Sequence, residues 1–168
     1  MTTKEIKKRG NKMNVKTEIK VYIDGGTKRN GSKDAISGIG LYIPSMDVKK
    51  YRRVNETTNN RAELTALLVA LDYCEHKNLF DSEITIYSDS LLIVNQYNGE
   101  YKIKSNLDLW NLIKKYRSVN MEWISRNENS IADELANKGC KCSVLTCWTY
   151  CFSSCHPMSL CYLYTSYV

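Results

Sequence analysis

The hydrophobic residues change their spacing along the chain, and the order of these changes restricts what it can fold into. The stretch EIKVYIDGG alternates, with Ile19, Val21 and Ile23 on one face, which predicts a strand ending in a glycine turn. AISGIGLYIPS and VKKYRRVNE predict two further strands of an antiparallel meander. The apolar residues that follow recur with a period of about 3.6, which predicts a helix from about Asn60 to Lys77.

The second half of the chain alternates between strand and helix patterns. SEITIYSDS predicts a fourth strand and NMEWIS a fifth, while SLLIVNQY and NLDLWNLIKKYRS predict helical segments between them. NENSIADELANKG predicts a last helix with Gly139 as its C-cap. The resulting order, βββαβαβα with one interruption in the second helix, indicates an α/β domain. The first and fourth strands, joined by a right-handed crossover, are expected to be parallel neighbours.

Acidic residues recur at the predicted ends of these elements. Asp24 ends the first strand, Asp89 ends the fourth, and Glu63 lies at the start of the helix between the third and the fourth. These groups are expected to converge, because α/β sheets bind ligands where the carboxyl ends of neighbouring parallel strands meet. Asp133, in the first turns of the last helix, is a candidate fourth member. Glu63 also fits a capping box with Asn60, but the positions of the other acids favour a role in the site.

Four converging carboxylates predict a metal site. They cannot all be anionic without a counter-charge, and divalent cations supply one. Hard carboxylate oxygens with no His or Cys among them suit Mg²⁺ or Mn²⁺ rather than Zn²⁺. Two such ions about 3.5–4 Å apart clamp the attacking and leaving oxygens of an in-line phosphoryl displacement.

Five short motifs occur in the order YIDGG, TTNNRAEL, YSDS, SNLDLW and ADELA. Together they resemble ribonuclease H type 1 over about residues 18–139. The resemblance implies the ribonuclease H-like α/β fold, with a five-stranded mixed sheet in the order 3-2-1-4-5 flanked by helices. It also implies a metal-dependent endonuclease, using two Mg²⁺ or Mn²⁺ ions, that hydrolyses the RNA strand of RNA–DNA hybrids. The catalytic and metal-binding acids of that family fall on Asp24, Glu63, Asp89 and Asp133.

The resemblance also assigns contacts to the hybrid. Asn59 and Asn60 match residues in its minor groove, where an amide can read the 2′-hydroxyl that marks RNA. Gly25 and Gly26 let the backbone come close to the ribose. Ser90 is placed near the RNA strand.

A further set of matching residues implies a phosphate pocket. Thr58, Arg61 and Asn106 match a pocket that grips a phosphate of the DNA strand. Asn106 fits equally well as the N-cap of the helix LDLWNL, and both interpretations stay open at this point.

The chain departs from bacterial members of the family in two places. Many of these have a Gly-His loop before the last aspartate, and that histidine helps turnover, whereas WISRNENSIAD has no histidine. We therefore expect no general-acid help from histidine, and we expect Arg126 to contact phosphate instead. The short gap between SLLIVNQY and SNLDLW has no room for the basic handle that such relatives use on the DNA strand. Lys102 and Lys104 are its local substitutes, or part of a solvated loop.

Charge and cysteine content divide the 168 residues into three parts. Residues 1–17 hold six of the 24 Lys and Arg residues against one Glu and are expected to form a disordered basic arm. Residues 18–139, the predicted catalytic domain, hold 17 basic and 17 acidic residues, so the formal net charge of +6 does not describe it. Nucleic-acid binding must therefore rest on local clusters. Residues 140–168 hold six of the seven cysteines and are expected to lack a fold of their own and to bind no metal.

The sequence also gives expectations about localisation, oligomeric state and alternative functions. MTTKEIKKRG has no signal-peptide pattern, so a cytoplasmic, monomeric protein without membrane contact is expected, with organellar targeting by the basic arm as the alternative. A catalytically weak module that only binds hybrids is a second functional hypothesis, and a broken acidic tetrad would mark it. IDGGTKRNG also resembles the first phosphate loop of sugar kinases and actin-like ATPases, so a phosphate-binding half-domain of that type is a third hypothesis, but those proteins need two such halves and a much longer chain.

Overall fold

The structure, a computed structural model, describes residues 17–142, which form one five-stranded sheet with helices on both faces. The strands are β1 (Glu18–Lys28), β2 (Ile36–Ile43), β3 (Val48–Val54), β4 (Glu83–Ser88) and β5 (Asn120–Trp123). The helices are α1 (Asn59–His76), α2 (Leu91–Tyr97), α3 (Leu107–Ile113) and α4 (Ser130–Lys141). Single 3₁₀ turns follow β2 and α1, at Pro44–Met46 and Leu79–Asp81.

The strand order is β3-β2-β1-β4-β5, which confirms the predicted mixed sheet. β1, β2 and β3 are antiparallel neighbours, and β4 is parallel to both β1 and β5. The register between β1 and β4 ends at the pair Tyr22 and Tyr87. Asp24 and Asp89 therefore each lie two residues beyond the last parallel pair, at the same edge of the sheet.

The first strand does not end in a glycine turn, which corrects the prediction from EIKVYIDGG. β1 continues through both glycines to Lys28, because β2 continues to pair with it after β4 has diverged, with Gly25 opposite Ile39 and Gly26 opposite Gly38. Asp24 thus lies inside a strand that has kept only one of its two neighbours. A strand holds the Asp24 side chain more rigidly than a turn would.

Helix α1 covers one face of the sheet with the predicted apolar stripe. Its buried leucines lie against the inward-facing β-branched residues of β1, β2 and β4, and the most buried of them are Leu64, Leu67, Leu68 and Leu71. The helix begins at Asn59, and its N-cap is Thr58, whose hydroxyl accepts a hydrogen bond from the Arg61 backbone N–H at 3.4 Å. The predicted cap, Asn60, lies in the first turn instead.

Helix α4 covers the opposite face and continues past the predicted C-cap. Gly139 lies within the helix and does not cap it. A Cβ atom at this position would be 2.5 Å from the Arg52 carbonyl oxygen, so glycine is what allows α4 to pack closely on β3. The helix ends at Lys141, and Cys140 is buried with its thiol 3.4 Å from the Gly26 carbonyl oxygen. The predicted boundary at residue 139 is therefore too early. Residues 1–16 and 143–168, with the predictions for the basic arm and most of the extension, lie outside the described residues.

Within residues 17–142, no helix is both long and apolar enough to cross a membrane.

Candidate active site

The fold brings the four predicted acids to one edge of the sheet. Asp24 lies on β1 beyond its pairing with β4, Asp89 directly follows β4, and Glu63 and Asp133 lie in the first turns of α1 and α4. The charges of Asp89 and Asp133 both act on Asp24, and those of Asp24 and Asp89 act on Glu63. The four carboxylates therefore form one electrostatic cluster. Two of them are carried by or directly follow strands of the sheet, and the other two lie on helices from opposite faces of the sheet.

Burial and mutual repulsion change the proton affinity of two of these groups. Asp24 is 9% exposed, and burial, followed by the charges of Asp89 and Asp133, raises its pKa to about 7. Burial, followed by the nearby aspartates, also raises the pKa of Glu63 to about 7, against a hydrogen bond from the Ser90 hydroxyl that lowers it. Ser90, predicted to lie near the RNA, is thus in contact with the acidic cluster.

Gly25 determines how closely Glu63 approaches Asp24. A Cβ atom at Gly25 would collide with the backbone of Ala62 and Glu63, so glycine allows the start of α1 to pack directly on β1. Helix packing therefore explains Gly25 without any contact to ribose. No atom lies within 4 Å of the corresponding position at Gly26, which leaves its backbone face accessible for the predicted approach of a substrate.

Asp133 is held by two neighbours on the α4 side of the cluster. Its Oδ1 is 2.6 Å from Nη2 of Arg126, and its Oδ2 accepts a hydrogen bond from Nδ2 of Asn137 at 3.0 Å. The Arg126 side chain is 76% exposed, and its positive charge lowers the pKa values of Asp24 and Glu63. Arg126, predicted to contact phosphate, thus acts as a counter-charge for the cluster.

Two residues that the sequence analysis did not identify hold Asp89. Asn129 is almost fully buried, and its Nδ2 donates to the Asp89 carboxylate at 3.1 Å and to the Ile23 carbonyl oxygen at 2.9 Å. The indole N–H of Trp123 donates to the Asp89 backbone oxygen at 3.1 Å. A single Asn before a helix has the ordinary appearance of an N-cap, although the Asn129 side chain makes no capping hydrogen bond. No sequence pattern distinguishes it.

The chemistry of the donor set fits a hard divalent cation. All four donors are carboxylates, two have pKa values raised by burial and then by repulsion, and Oε2 of Glu63 is buried without a hydrogen-bond partner in the part of the chain that the structure describes. Over that same part, no three acidic, His or Cys side chains are already grouped around a common metal position. Asp133 is paired with Arg126 and Asn137 instead.

The first turn of α1 is anchored to β1 and to the turn after it through Asn59. The Asn59 side-chain oxygen accepts a hydrogen bond from the Thr27 backbone N–H at 2.8 Å, and its own backbone N–H donates to Asn30 at 3.0 Å. Asn60 is exposed, and among residues 17–142 no hydrogen bond to its side chain is found. The two asparagines therefore differ: one fastens the first turn of α1 to the β1–β2 hairpin, and the other presents its amide to solvent.

The residues of the predicted phosphate pocket lie close together, but the Arg61 guanidinium is already bonded to other side chains of the protein. Arg61 is 3.5 Å from the Asn106 side-chain oxygen, forms a two-fold contact with the Asp108 carboxylate at 2.8 and 3.1 Å, and contacts buried Glu56 at 2.7 Å. Thr58 caps α1. Asn106 has a left-handed backbone with φ of 55° and makes no capping hydrogen bond, so its side chain faces Arg61 instead. A phosphate reaching Arg61 would have to displace Asp108 or use the remaining N–H groups.

Comparison with known proteins identifies relatives of this site. The RNase H family profile matches residues 16–141. A bifunctional protein of Mycobacterium tuberculosis is 30% identical over 132 residues, 71% of this chain and 35% of that protein. Ribonuclease H of Schizosaccharomyces pombe is 31% identical over 136 residues, 71% of this chain and 52% of the yeast protein. The chain thus spans between a third and about half of the length of these relatives.

Solved structures show the same arrangement of elements. LC11-RNase H1, isolated from compost, has a TM-score of 0.63 and 33% identity, covering 74% of this chain and 96% of its own. LC11-RNase H1 in complex with an RNA/DNA hybrid has a TM-score of 0.61 and 29% identity, covering 73% and 96%. Since the family profile extends over nearly all the elements described above, the chain belongs to the RNase H family.

Proposed function

We propose that the chain is an endonuclease that hydrolyses the RNA strand of RNA–DNA hybrids by two-metal-ion catalysis. The observation that carries the proposal is the acidic cluster, in which burial and repulsion raise the pKa values of Asp24 and Glu63 to about 7. Full ionisation of such a cluster at neutral pH requires positive partners, and Arg126 alone supplies one charge for four carboxylates. Two divalent cations supply four positive charges, which balance the three remaining carboxylate charges and the single charge of a bound phosphodiester.

The four acids have distinct parts in this mechanism. Mg²⁺ or Mn²⁺ ions held by these acids would supply Lewis acidity and positive charge for the hydrolysis of a phosphodiester. Asp24 and Glu63 present buried oxygens from β1 and α1, and Asp89 presents Oδ2, because Oδ1 is held by Asn129. Asp133 leaves its ion pair with Arg126 to join them. The exposed guanidinium of Arg126 is then available to pair with a backbone phosphate of the substrate.

Selection of a hybrid rests on the first turn of α1. Asn59 accepts a hydrogen bond from the backbone of Thr27 and so anchors this turn on β1, and the neighbouring Asn60 is exposed for contact with the substrate. An exposed amide offers both a donor and an acceptor to the base edges and 2′-hydroxyls of a minor groove. That LC11-RNase H1 has been solved with an RNA/DNA hybrid supports the same substrate class for this chain.

The test is cleavage of a labelled RNA–DNA hybrid by the full chain, with and without Mg²⁺. Asp89→Asn should remain folded and lose cleavage by at least about a hundredfold, because a neutral amide no longer offsets the charge of the ions. Asn98→Ala, which removes a side-chain amide hydrogen bond to the Met121 backbone oxygen on β5, is the control and should cleave normally.

Two results would refute the proposal: near-normal turnover by Asp89→Asn, or equal cutting of hybrid and duplex DNA by the parent protein. Tight hybrid binding without any cleavage in Mg²⁺ or Mn²⁺ would instead support the binding-module hypothesis. Membership of the RNase H family disfavours the sugar-kinase interpretation, which leaves Glu63 and Asp133 unexplained.

A further inference from the structure

We infer that Asn129 is a positioning residue that sets the spacing of three of the four acids and thereby the affinity of the site for divalent cations. The inference rests on the proposed function, because it assigns Asn129 a role in the metal site described above. It concerns a residue that contacts a carboxylate and a backbone carbonyl, not the substrate.

One side-chain amide joins the elements that carry the acids. Nδ2 of Asn129 donates one hydrogen to the Ile23 carbonyl oxygen on β1, directly before Asp24, at 2.9 Å. It donates the other to Oδ1 of Asp89, directly after β4, at 3.1 Å. The backbone oxygen of Asn129 accepts the first helical hydrogen bond of α4, from the Asp133 N–H at 3.0 Å. A single residue thus contacts the middle of β1, the residue after β4 and the first turn of α4.

The orientation of this amide is determined by its partners. Exchanging oxygen and nitrogen would place the amide oxygen against two acceptors, the Ile23 carbonyl and the Asp89 carboxylate, so only the assigned orientation avoids repulsion. As a result, Oδ1 of Asn129 points into the buried interior with no donor among the described residues. A buried acceptor without a donor is destabilising, and this cost accompanies the orientation that lets Nδ2 reach both Ile23 and Asp89.

The chemistry of asparagine suits this position better than that of its neighbours in size. An aspartate would place a fifth anion against Asp89 and lose both donated hydrogen bonds. A leucine would fill the volume and leave the Asp89 oxygen and the Ile23 carbonyl without their donor. Of these three side chains, only the neutral amide donates both to the carboxylate and to the carbonyl, which fixes Oδ1 of Asp89 and leaves Oδ2 for a cation.

The experiment measures Mn²⁺ binding to the full-length, metal-free protein by calorimetry, without substrate. Asn129→Ala is expected to bind Mn²⁺ about tenfold or more weakly, the usual loss when a group that orients a metal ligand is removed. Its cleavage of the hybrid should recover at high Mn²⁺, and its hybrid affinity in EDTA should stay within about twofold of the parent. Asn98→Ala, with the same kind of amide-to-carbonyl hydrogen bond, should bind Mn²⁺ normally.

A folded Asn129→Ala protein with unchanged Mn²⁺ affinity would overturn the inference. If that variant does not fold, the parent protein gives the answer by NMR. The side-chain NH₂ resonances of Asn129 should then shift when Mg²⁺ is added, while those of Asn98 should not, and absence of a shift would equally overturn the inference. If the parent protein binds neither Mn²⁺ nor Mg²⁺, the proposed two-metal function is refuted. That result differs from a parent that binds the ions and an Asn129→Ala variant that binds them equally well, which refutes only the role of Asn129.

Discussion

Two carboxyl groups of the site titrate near neutrality because the fold buries them in advance of any cation. Burial is the largest cause of the raised pKa values of Asp24 and Glu63, and the neighbouring aspartates add to it. The unfolded chain ionises the same groups near pH 4. At neutral pH, the metal-free protein therefore holds protons at these positions that the unfolded chain has already released.

This difference predicts how the stability of the metal-free protein depends on pH. Between about pH 4 and 7 the folded state binds more protons at Asp24 and Glu63 than the unfolded state, so the free energy of unfolding falls as pH rises through that range. In EDTA, we expect the protein to be less stable at pH 8 than at pH 5 by on the order of 2 kcal/mol, measured by urea unfolding. Mg²⁺ should restore much of this loss at pH 8, because it binds only the folded state.

Asp24→Asn supplies the control for that measurement. The amide cannot ionise, so the variant should show a smaller fall in stability between pH 5 and pH 8 than the parent. A parent protein whose stability in EDTA rises over the same interval would contradict raised pKa values in the cluster.

At the level of elements, the site depends on the close packing of α1 against β1. Gly25 permits this contact, and Glu63 occupies its position relative to Asp24 because of it. The neighbouring Gly26 faces open space and has no such role. Close packing therefore requires glycine at Gly25 and leaves open space at Gly26, a distinction that the sequence IDGG does not reveal.

Alanine at these two positions separates packing from access. Gly25→Ala should lower the free energy of unfolding by about 1–3 kcal/mol and reduce kcat by about tenfold or more, because α1 must move and carries Glu63 with it. Gly26→Ala should leave the unfolding midpoint within about 2 °C of the parent. If the substrate backbone approaches there as proposed, Gly26→Ala should raise KM for the hybrid. Equal thermal stability of both variants would refute the packing role of Gly25.

A second contact between elements is the ion network that ties α1 to α3. Glu56 is buried and accepts from Arg61 at 2.7 Å and from the Thr65 hydroxyl at 3.0 Å, while Arg61 continues to Asp108 on α3. The Asp108 side chain is 60% exposed, and Arg61 lowers its pKa through the hydrogen bonds between them. The Arg61 guanidinium therefore pairs with two carboxylates, of which Glu56 is buried and Asp108 is exposed to solvent.

Removing each carboxylate in turn should give very different losses. Glu56→Ala leaves a partly buried guanidinium and a buried hydroxyl without their acceptor, and we expect a loss of about 2–4 kcal/mol in the free energy of unfolding. Asp108→Ala removes an exposed ion pair and should cost less than about 1 kcal/mol. Asp108→Ala should also free the two Nη groups of Arg61 to bind a phosphate of the hybrid and so lower KM for the hybrid. A larger loss from Asp108→Ala than from Glu56→Ala would contradict this account.

Across the whole molecule, the periodicity of apolar residues predicts the order of elements along the chain, whereas the full strand order 3-2-1-4-5 was an implication of the family resemblance. Alternation identifies strands, the 3.6-residue period identifies α1, and the right-handed crossover makes β1 and β4 parallel neighbours. The positions of the four acids follow from that topology. Their partners do not, because Asn129 is a polar residue whose place beside the acids depends on a contact with Ile23, more than a hundred positions away.

The glycines were misinterpreted for a related reason. Local preferences favour a turn at Gly25 and a C-cap at Gly139, but both residues lie inside regular elements where another backbone comes too close for a side chain. Such close approach is a property of the packed layers. It cannot be deduced from neighbouring residues in the sequence.

The end of α4 gives a test of where the folded domain stops. Cys140 is buried, its thiol lies 3.4 Å from the Gly26 oxygen and 3.5 Å from the Ile36 oxygen, and Arg53 donates to the Cys142 backbone oxygen at 3.3 Å. A chain ending at residue 139 loses these contacts and the last helical turn, whereas a chain ending at residue 142 keeps them. We expect the shorter chain to be less stable by about 1–3 kcal/mol in urea unfolding, from the lost burial and hydrogen bonds. Both chains retain the four acids, so hybrid cleavage at low temperature should be similar in the two. Equal unfolding midpoints would place the boundary at residue 139 after all and make the buried thiol of Cys140 irrelevant to the stability of the domain.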